Sequence, residues 1–138
     1  MTQFGQLLNS LASLDSSLTV SAGSVANGTS KDLGANINPQ ALRVAVQFSL
    51  TQTATNDAAD VEAIVQFSDD NSTWPDSGDG DPIWAWLAAS AGADKTRTQI
   101  LGFVPRARYY RFQYTNNNPS DSFDVNSETS HSLNQDDA

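Results

Sequence analysis

Hydrophobic and polar residues alternate along several stretches of the chain, and the alternation is clearest over residues 41–51. Every second position of that stretch is apolar: Leu42, Val44, Val46, Phe48 and Leu50. Alternation with a period of two, carried by β-branched and aromatic side chains, predicts a strand with one buried and one solvated face.

Shorter stretches with the same pattern predict further strands. They cover residues 18–26, 31–34, 61–68, 83–88, 96–104, 108–115 and 123–126. Turn-forming residues separate these stretches, and no helical pattern lies between them, so a parallel α/β sheet is disfavoured. The sequence therefore predicts an all-β fold, a single-domain antiparallel β-sandwich of the jelly-roll type with about seven or eight strands.

The N-terminal segment has a different pattern, because its apolar residues recur at steps of three and four positions. These residues are Phe4, Leu7, Leu8, Leu11 and Leu14. Such spacing places them on one face of a helix. We predict a short N-terminal helix or arm over residues 1–17, which packs on its own domain or docks on a neighbouring subunit. The sandwich domain is predicted over residues 18–128, and a polar C-terminal tail over residues 129–138.

Composition and charge narrow the choice of partners. The chain has 138 residues, which is the length of one domain, and it contains no cysteine. Its 7 basic and 16 acidic residues give a formal net charge of −9. A field of that sign repels phosphate backbones, so we expect no nucleic-acid partner. No run approaches 18 apolar residues, so we expect no membrane partner either.

Catalytic residues are not predicted. The one histidine, His131, falls in the predicted tail, where a side chain is seldom held rigidly enough to act as a general base. Acidic residues group at 57–62 and at 69–81, but among Ser, Gly and Asn residues. An apolar pocket, which raises the pKa of a catalytic acid, is not indicated there. We therefore expect a protein that is not an enzyme.

Residues 76–81 read D-S-G-D-G-D and raise the question of a calcium site. Calcium takes oxygen ligands from acidic loops that contain glycine, but this run lacks the closing glutamate of an EF-hand loop. A mobile acidic turn is the alternative that the sequence favours. No metal and no cofactor are predicted.

Three tryptophans are candidates for a contact surface. Trp84 and Trp86 share one face of a predicted strand, and Trp74 lies in the preceding loop. The residues next to these two tryptophans along the strand are apolar. If those neighbours face the core, Trp84 and Trp86 are exposed and form an interface or a sugar-stacking platform. Packing in the core is the alternative. The predicted interface residues are Phe4, Leu7, Leu8, Leu11, Trp74, Trp84 and Trp86.

Two motifs carry a resemblance to known proteins: S-D-D-N-S-T-W at residues 68–74 and R-Y-Y-R-F at residues 108–112. With these motifs, the chain from about residue 30 to residue 127 resembles small virion proteins of tailed phages, including capsid decoration (cement) proteins. The motifs are also similar to those of galactose-binding-like (discoidin-type) domains. The chain departs from that second pattern at Asp70-Asn71, where Asp-Gly is expected, and in lacking cysteines.

Both motifs have a physical interpretation as parts of a scaffold. The Asp-Asn-Ser run indicates a tight turn with local hydrogen bonds between side chains and backbone. We expect Trp74 to cap the end of the core. Arg108 and Arg111 are expected to stack on aromatic side chains or to pair with loop carboxylates.

The resemblance to decoration proteins implies a structural protein that binds and stabilises the assembled phage head. The implied partner is the major capsid protein, the implied assembly is a homotrimer, and the implied location is the capsid surface of the virion. A carbohydrate-binding or receptor-binding module is an alternative. A tail, neck or spike component of the same fold is another.

Overall fold

The computed structural model describes residues 11–52, 59–88, 95–119 and 121–133, with the backbone alone for residues 52, 59–60, 84–88 and 95–98. These parts of the chain contain nine strands and a 3-10 turn at Pro39–Ala41. In chain order the strands are β1 (Ala12–Val20), β2 (Val25–Asn27), β3 (Lys31–Asp32), β4 (Leu42–Gln52), β5 (Ala59–Ser68), β6 (Asp81–Ala88), β7 (Lys95–Phe103), β8 (Tyr109–Asn116) and β9 (Phe123–Leu133).

The strands form two antiparallel sheets that pack face to face. The first sheet has the order β1-β9-β4-β7, and the second has the order β2-β8-β5-β6 with β3 also paired to β8. The predicted all-β antiparallel sandwich is confirmed. No helix in the described residues has the length and apolar character needed to cross a membrane.

The core lies between the sheets and follows the alternation seen in the sequence. Phe112 is its centre, with ring centroids 4.9 Å from Phe48 and 5.9 Å from Phe103, both on the opposing sheet. These rings meet edge to face, an arrangement that aromatic pairs prefer. The buried apolar residues are Val20, Leu33, Leu42, Val44, Val46, Phe48, Leu50, Val61, Ala63, Val65, Tyr110, Phe112, Tyr114, Phe123 and Val125.

Both ends of the sandwich differ from the predicted boundaries. Strand β1 begins at Ala12, so residues 12–17 form part of the first sheet and not a helix. Strand β9 runs to Leu133, so residues 129–133 belong to the sheet and not to a tail. The reason is that β9 lies between β1 and β4, and backbone hydrogen bonds to these strands hold its polar residues in an extended conformation.

The prediction of a solvated His131 is wrong. The imidazole is only 6% exposed, and its Nε2 lies 2.9 Å from the hydroxyl oxygen of Tyr110, which comes from the opposing sheet. Burial raises the pKa of the Tyr110 hydroxyl, so the phenol keeps its proton. The histidine is therefore part of a hydrogen bond between the sheets.

This burial makes the stability of the fold depend on pH. Desolvation, assisted by the charge of Lys31, lowers the pKa of His131 below its usual 6.5. The unfolded chain then takes up the proton more readily than the folded one, so the free energy of unfolding falls as the pH drops below 6.5. Urea unfolding at pH 7.5, 6.5 and 5.5 measures this loss.

Variant His131→Gln is the control for that measurement, since it removes the titrating group, and a flat profile between pH 7.5 and 5.5 is expected. The carboxylates of Asp32 and Asp70, each with a pKa of about 2 against the usual 3.8, lose their contribution only below pH 3.8. An equal slope in the variant and the natural chain would contradict the role of His131.

Candidate functional site

A polar cleft of about 380 Å³ lies on the outer face of the β1-β9-β4-β7 sheet. Its residues on β4 and β9 alternate with the buried residues of the same strands, so their side chains point away from the core. The cleft is lined by polar residues alone: Ser13, Asp15, Ser16, Gln47, Ser49, Asn126 and Glu128. Hydroxyl, amide and carboxylate groups from three strands thus meet in one depression.

Strand register places four residues of this face in one row. Gln47 on β4 is opposite Glu128 on β9, and Glu128 is opposite Ser13 on β1. On its other side Gln47 is opposite Ile100 on β7, which is 68% exposed. Because directly opposite residues of antiparallel strands share a face, the row crosses the whole sheet.

Asp15 borders the cleft on β1, but its side chain points inward, since it is only 3% exposed and lies opposite the buried Ser127. Its Oδ2 accepts hydrogen bonds from the hydroxyls of Tyr114 at 2.8 Å and Ser127 at 2.9 Å. Its Oδ1 accepts one from the backbone N–H of Thr29 at 2.7 Å. A Cβ on Gly28 would lie 2.6 Å from Oδ2, so the close approach of this loop needs glycine.

Three donors therefore fix the position of the Asp15 carboxylate. Burial and the neighbouring charge of Asp15 raise the pKa of Tyr114 well above its usual value, so the phenol stays protonated and donates. Tyr114 belongs to the second sheet and Asp15 to the first. This contact is a second hydrogen-bonded link between the sheets, beside that of Tyr110 with His131.

Other cleft groups keep their hydrogen-bonding capacity open. Asn126 is held in place, because its Oδ1 accepts a hydrogen bond of 2.8 Å from the backbone N–H of Ser17, which has a φ of 47° within the irregular part of β1. By contrast, the side chains of Gln47, Ser49 and Glu128 make no hydrogen bond to another residue that the structure describes. These groups are available to a ligand.

A loop over residues 69–80 covers part of the outer face of the second sheet. The side-chain amide of Gln66 donates to the backbone carbonyl oxygens of Asp76 and Asp79, at 3.2 Å and 2.9 Å. A cation bound by these carbonyl oxygens would have to displace that amide. Among the described residues, no three His, Cys, Asp or Glu side chains lie close enough to hold a metal ion.

The first motif forms the predicted tight turn. Asp70 Oδ1 accepts hydrogen bonds from the backbone N–H groups of Ser72 and Thr73, at 2.9 Å and 2.8 Å. These bonds hold the pKa of Asp70 at about 2. Asn71 adopts a φ of 61°, a left-handed conformation that asparagine tolerates.

The arginines of the second motif make the contacts expected of them. Arg108 forms two hydrogen bonds to the Asp32 carboxylate, at 2.7 Å and 2.9 Å. The guanidinium of Arg111 lies 4.4 Å from the ring centroid of Trp74. Trp74 does not cap the core as predicted: Arg111 alternates with the buried Tyr110 and so points outward, and the tryptophan packs on it outside the sheet.

The predicted interface residues do not form one surface where the structure describes them. Leu11 is 43% exposed and precedes the edge strand of the first sheet, whereas Trp74 lies outside the second sheet. One ring face of Trp74 is already covered by Arg111. Phe4, Leu7 and Leu8 lie outside the described residues.

Trp84 and Trp86 are described through their backbones alone. They lie on β6, where register places Trp84 opposite Ala63 and Trp86 opposite Val61. Their side chains lie outside the described part of the chain, so the predicted tryptophan platform stays a prediction.

Sequence patterns did not single out the cleft residues. Gln47 and Ser49 were visible only as the polar members of an alternating strand. Asn126 ends a predicted short strand, and Glu128 lies between that strand and the predicted tail. The available signal was the abundance of Ser, Asn and Gln at outward positions. Such residues are common on any solvated sheet face, so this signal was weak.

No family model matches the sequence, and no curated protein matches it. Solved structures share the fold. Latent PorU from Porphyromonas gingivalis matches with a TM-score of 0.55 and 12% identity, over 96% of this chain and 13% of that one. The CBM22-1 xylan-binding domain of Paenibacillus barcinonensis Xyn10C matches with a TM-score of 0.50 and 11% identity, over 99% and 100%.

A chain in the structure of infectious bursal disease virus, Gx strain, matches with a TM-score of 0.50 and 8% identity, over 94% of this chain and 32% of that one. This chain therefore spans a small part of PorU, a third of the virus chain and the whole xylan-binding domain. At such identities these likenesses establish the β-sandwich fold alone.

Proposed function

We propose that the protein is a structural protein of a tailed-phage virion, a decoration protein that binds the major capsid protein on the surface of the assembled head. In this proposal it acts as a homotrimer and by binding, without catalysis. The observation that carries the proposal is that buried ionisable groups form hydrogen bonds between the two sheets.

Those links leave the described core without a reactive side chain. The carboxylate of Asp15 accepts hydrogen bonds from three donors, and the imidazole of His131 is hydrogen-bonded to Tyr110. Buried groups with these partners stabilise a rigid body. A rigid module of this kind suits a protein whose work is to hold other subunits together.

Two further observations support the virion role. The motifs at residues 68–74 and 108–112 resemble those of virion proteins, and the turn and arginine contacts that they form are scaffold contacts. A virus-particle chain is among the structures of similar fold. Binding the assembled shell, and not its free subunits, stabilises the shell by mass action, and symmetry multiplies weak contacts into high avidity.

Heads that carry the protein are expected to withstand heat better than heads that lack it. Purified protein added back to deficient heads should co-sediment with them and raise the temperature of DNA release, but it should not bind unassembled capsid protein. In a trimer, the free protein has three times the chain mass of 14.8 kDa. A thermal release assay with and without added protein measures the effect.

Leu11→Ser tests the N-terminal contact in the same assay. We expect weaker co-sedimentation, because Leu11 is an exposed apolar residue next to the proposed arm. Val25→Ser is the matched control, since Val25 is equally exposed at 46% but lies on the second sheet. Heads of equal heat stability with and without the protein would refute the decoration role.

Carbohydrate binding is the second candidate, and the polar cleft favours it. The xylan-binding domain of similar fold matches this chain over nearly the full length of both. A single β-sandwich of this size is therefore sufficient to form the binding surface of that domain. The cleft offers open hydroxyl, amide and carboxylate groups of the kind that recognise sugars. Screening the protein on an oligosaccharide array tests this candidate. If no oligosaccharide on the array binds, carbohydrate binding is refuted.

A further inference from the structure

We infer that the cleft on the β1-β9-β4-β7 sheet binds an uncharged oligosaccharide that lies across the strands, along the row Ser13, Glu128, Gln47 and Ile100. This inference rests on the second candidate function and is independent of the virion role. The proposed site lies on the first sheet, whereas Trp74 packs outside the second sheet.

The hydrogen-bonding groups of the cleft are complementary to sugar hydroxyls. The amide of Gln47 both donates and accepts, the hydroxyls of Ser13 and Ser49 do the same, and the carboxylate of Glu128 accepts. A sugar hydroxyl is itself both donor and acceptor, so a chain of such groups satisfies this mixed set. A purely apolar ligand would leave the same groups desolvated and unpaired, at a cost in affinity.

The row also provides length and an apolar contact. Four adjacent strands spaced about 4.8 Å apart make a row about 14 Å long, which is longer than one sugar ring. Ile100 ends the row with the most exposed large hydrophobic side chain of the described residues, at 68%. It offers an apolar surface to the C–H face of a sugar, beside the polar groups that Gln47 and Glu128 offer to its hydroxyls.

Charge selects against acidic glycans. Glu128 presents a carboxylate to the cleft, none of the residues that line the cleft is basic, and the whole chain carries a net charge of −9. A sialylated or sulfated sugar would enter a negative field without a cation to pair with. The ligand is therefore an uncharged chain of sugars.

Part of the cleft is rigid before any ligand arrives. The Ser17 N–H holds the Asn126 amide, and the inward hydrogen bond from Tyr114 to Asp15 holds β1 against the second sheet beside the cleft. Fixed groups lose little conformational freedom on binding, which lowers the entropic cost of association. The open groups of Gln47 and Ser49 lie on β4, which pairs with β9 in regular register.

An array of neutral, sialylated and sulfated oligosaccharides, followed by calorimetric titration of the best neutral ligand, tests the inference. Gln47→Ala is expected to weaken that ligand about tenfold, from the loss of one or two hydrogen bonds. Gln99→Ala is the matched control, because Gln99 is an exposed glutamine of the same sheet outside the cleft, and it should leave affinity unchanged. Glu128→Gln is expected to reduce the discrimination against acidic ligands, because it removes the carboxylate that faces the cleft.

Three results would overturn the site. A preference for acidic glycans contradicts the charge argument. Neutral binding that survives Gln47→Ala but is lost in Trp74→Ala places the ligand on the other sheet, and it leaves carbohydrate binding itself standing. If no neutral oligosaccharide on the array binds, both the site and the second candidate function are refuted. Co-sedimentation with heads tests the virion role separately.

Discussion

Asp15→Ala is expected to lower the free energy of unfolding by about 3 kcal/mol or more, because it leaves the buried hydroxyls of Tyr114 and Ser127 and the N–H of Thr29 without their acceptor. An unpaired buried donor costs more than a hydrogen bond gains. The carboxylate also joins β1 to the second sheet, so its loss weakens the attachment of the first strand. Urea denaturation at pH 7 measures the change.

Asp124→Ala is the matched control for this variant. Asp124 lies on β9, and its carboxylate accepts one exposed hydrogen bond of 2.7 Å from the Thr19 hydroxyl. We expect a loss of about 1 kcal/mol or less, because water replaces an exposed partner. If Asp15→Ala cost no more than Asp124→Ala, the buried cluster would not be a structural link.

Phe112→Ala is expected to cost about 3–5 kcal/mol, the range found when a buried phenylalanine is truncated. Phe112 is completely buried and has aromatic neighbours on both sheets, including Phe48 and Phe103. Its removal leaves a cavity at the centre of the sandwich, where rigid rings from two sheets cannot easily collapse into it. Thermal and urea unfolding measure the loss.

Two comparisons sharpen that prediction. Phe112→Leu retains most of the buried volume and is expected to cost much less than alanine. Tyr109→Ala, on the same strand but partly exposed and stacked with Arg108, is the surface control and should change stability little. Equal losses for Phe112→Ala and Tyr109→Ala would mean that the core is not centred on Phe112.

These predictions concern either the interior of the molecule or its surface. Asp15 and Phe112 test the rigidity of the scaffold, and Gln47 and Leu11 test surfaces that it presents. Variants of the second kind are expected to fold normally, since Gln47 and Leu11 are outside the core. Loss of binding in these variants therefore reports on the surface and not on the fold.

Errors in the sequence interpretation occurred at the two ends of the sandwich. The Leu spacing around Leu11 and Leu14 fitted a helical face, but β1 pairs with β9 and turns that region into an edge strand. The stretch around His131 looked like a polar tail, but its inward polar side chains find partners on the other sheet. In both places tertiary pairing overrides a local pattern, because hydrogen bonds to a distant strand contribute more than local propensity.

The amino-acid sequence by itself determined the all-β class, the approximate position of most strands and the inward face of β4 and β8, since alternation with a period of two is a local property of the chain. The tertiary structure alone decided that Gln47 lies opposite Glu128, that Asp15 links the two sheets and that His131 is buried. These facts depend on which distant strands pair and in what register. Alternation within a single strand carries no information about that choice.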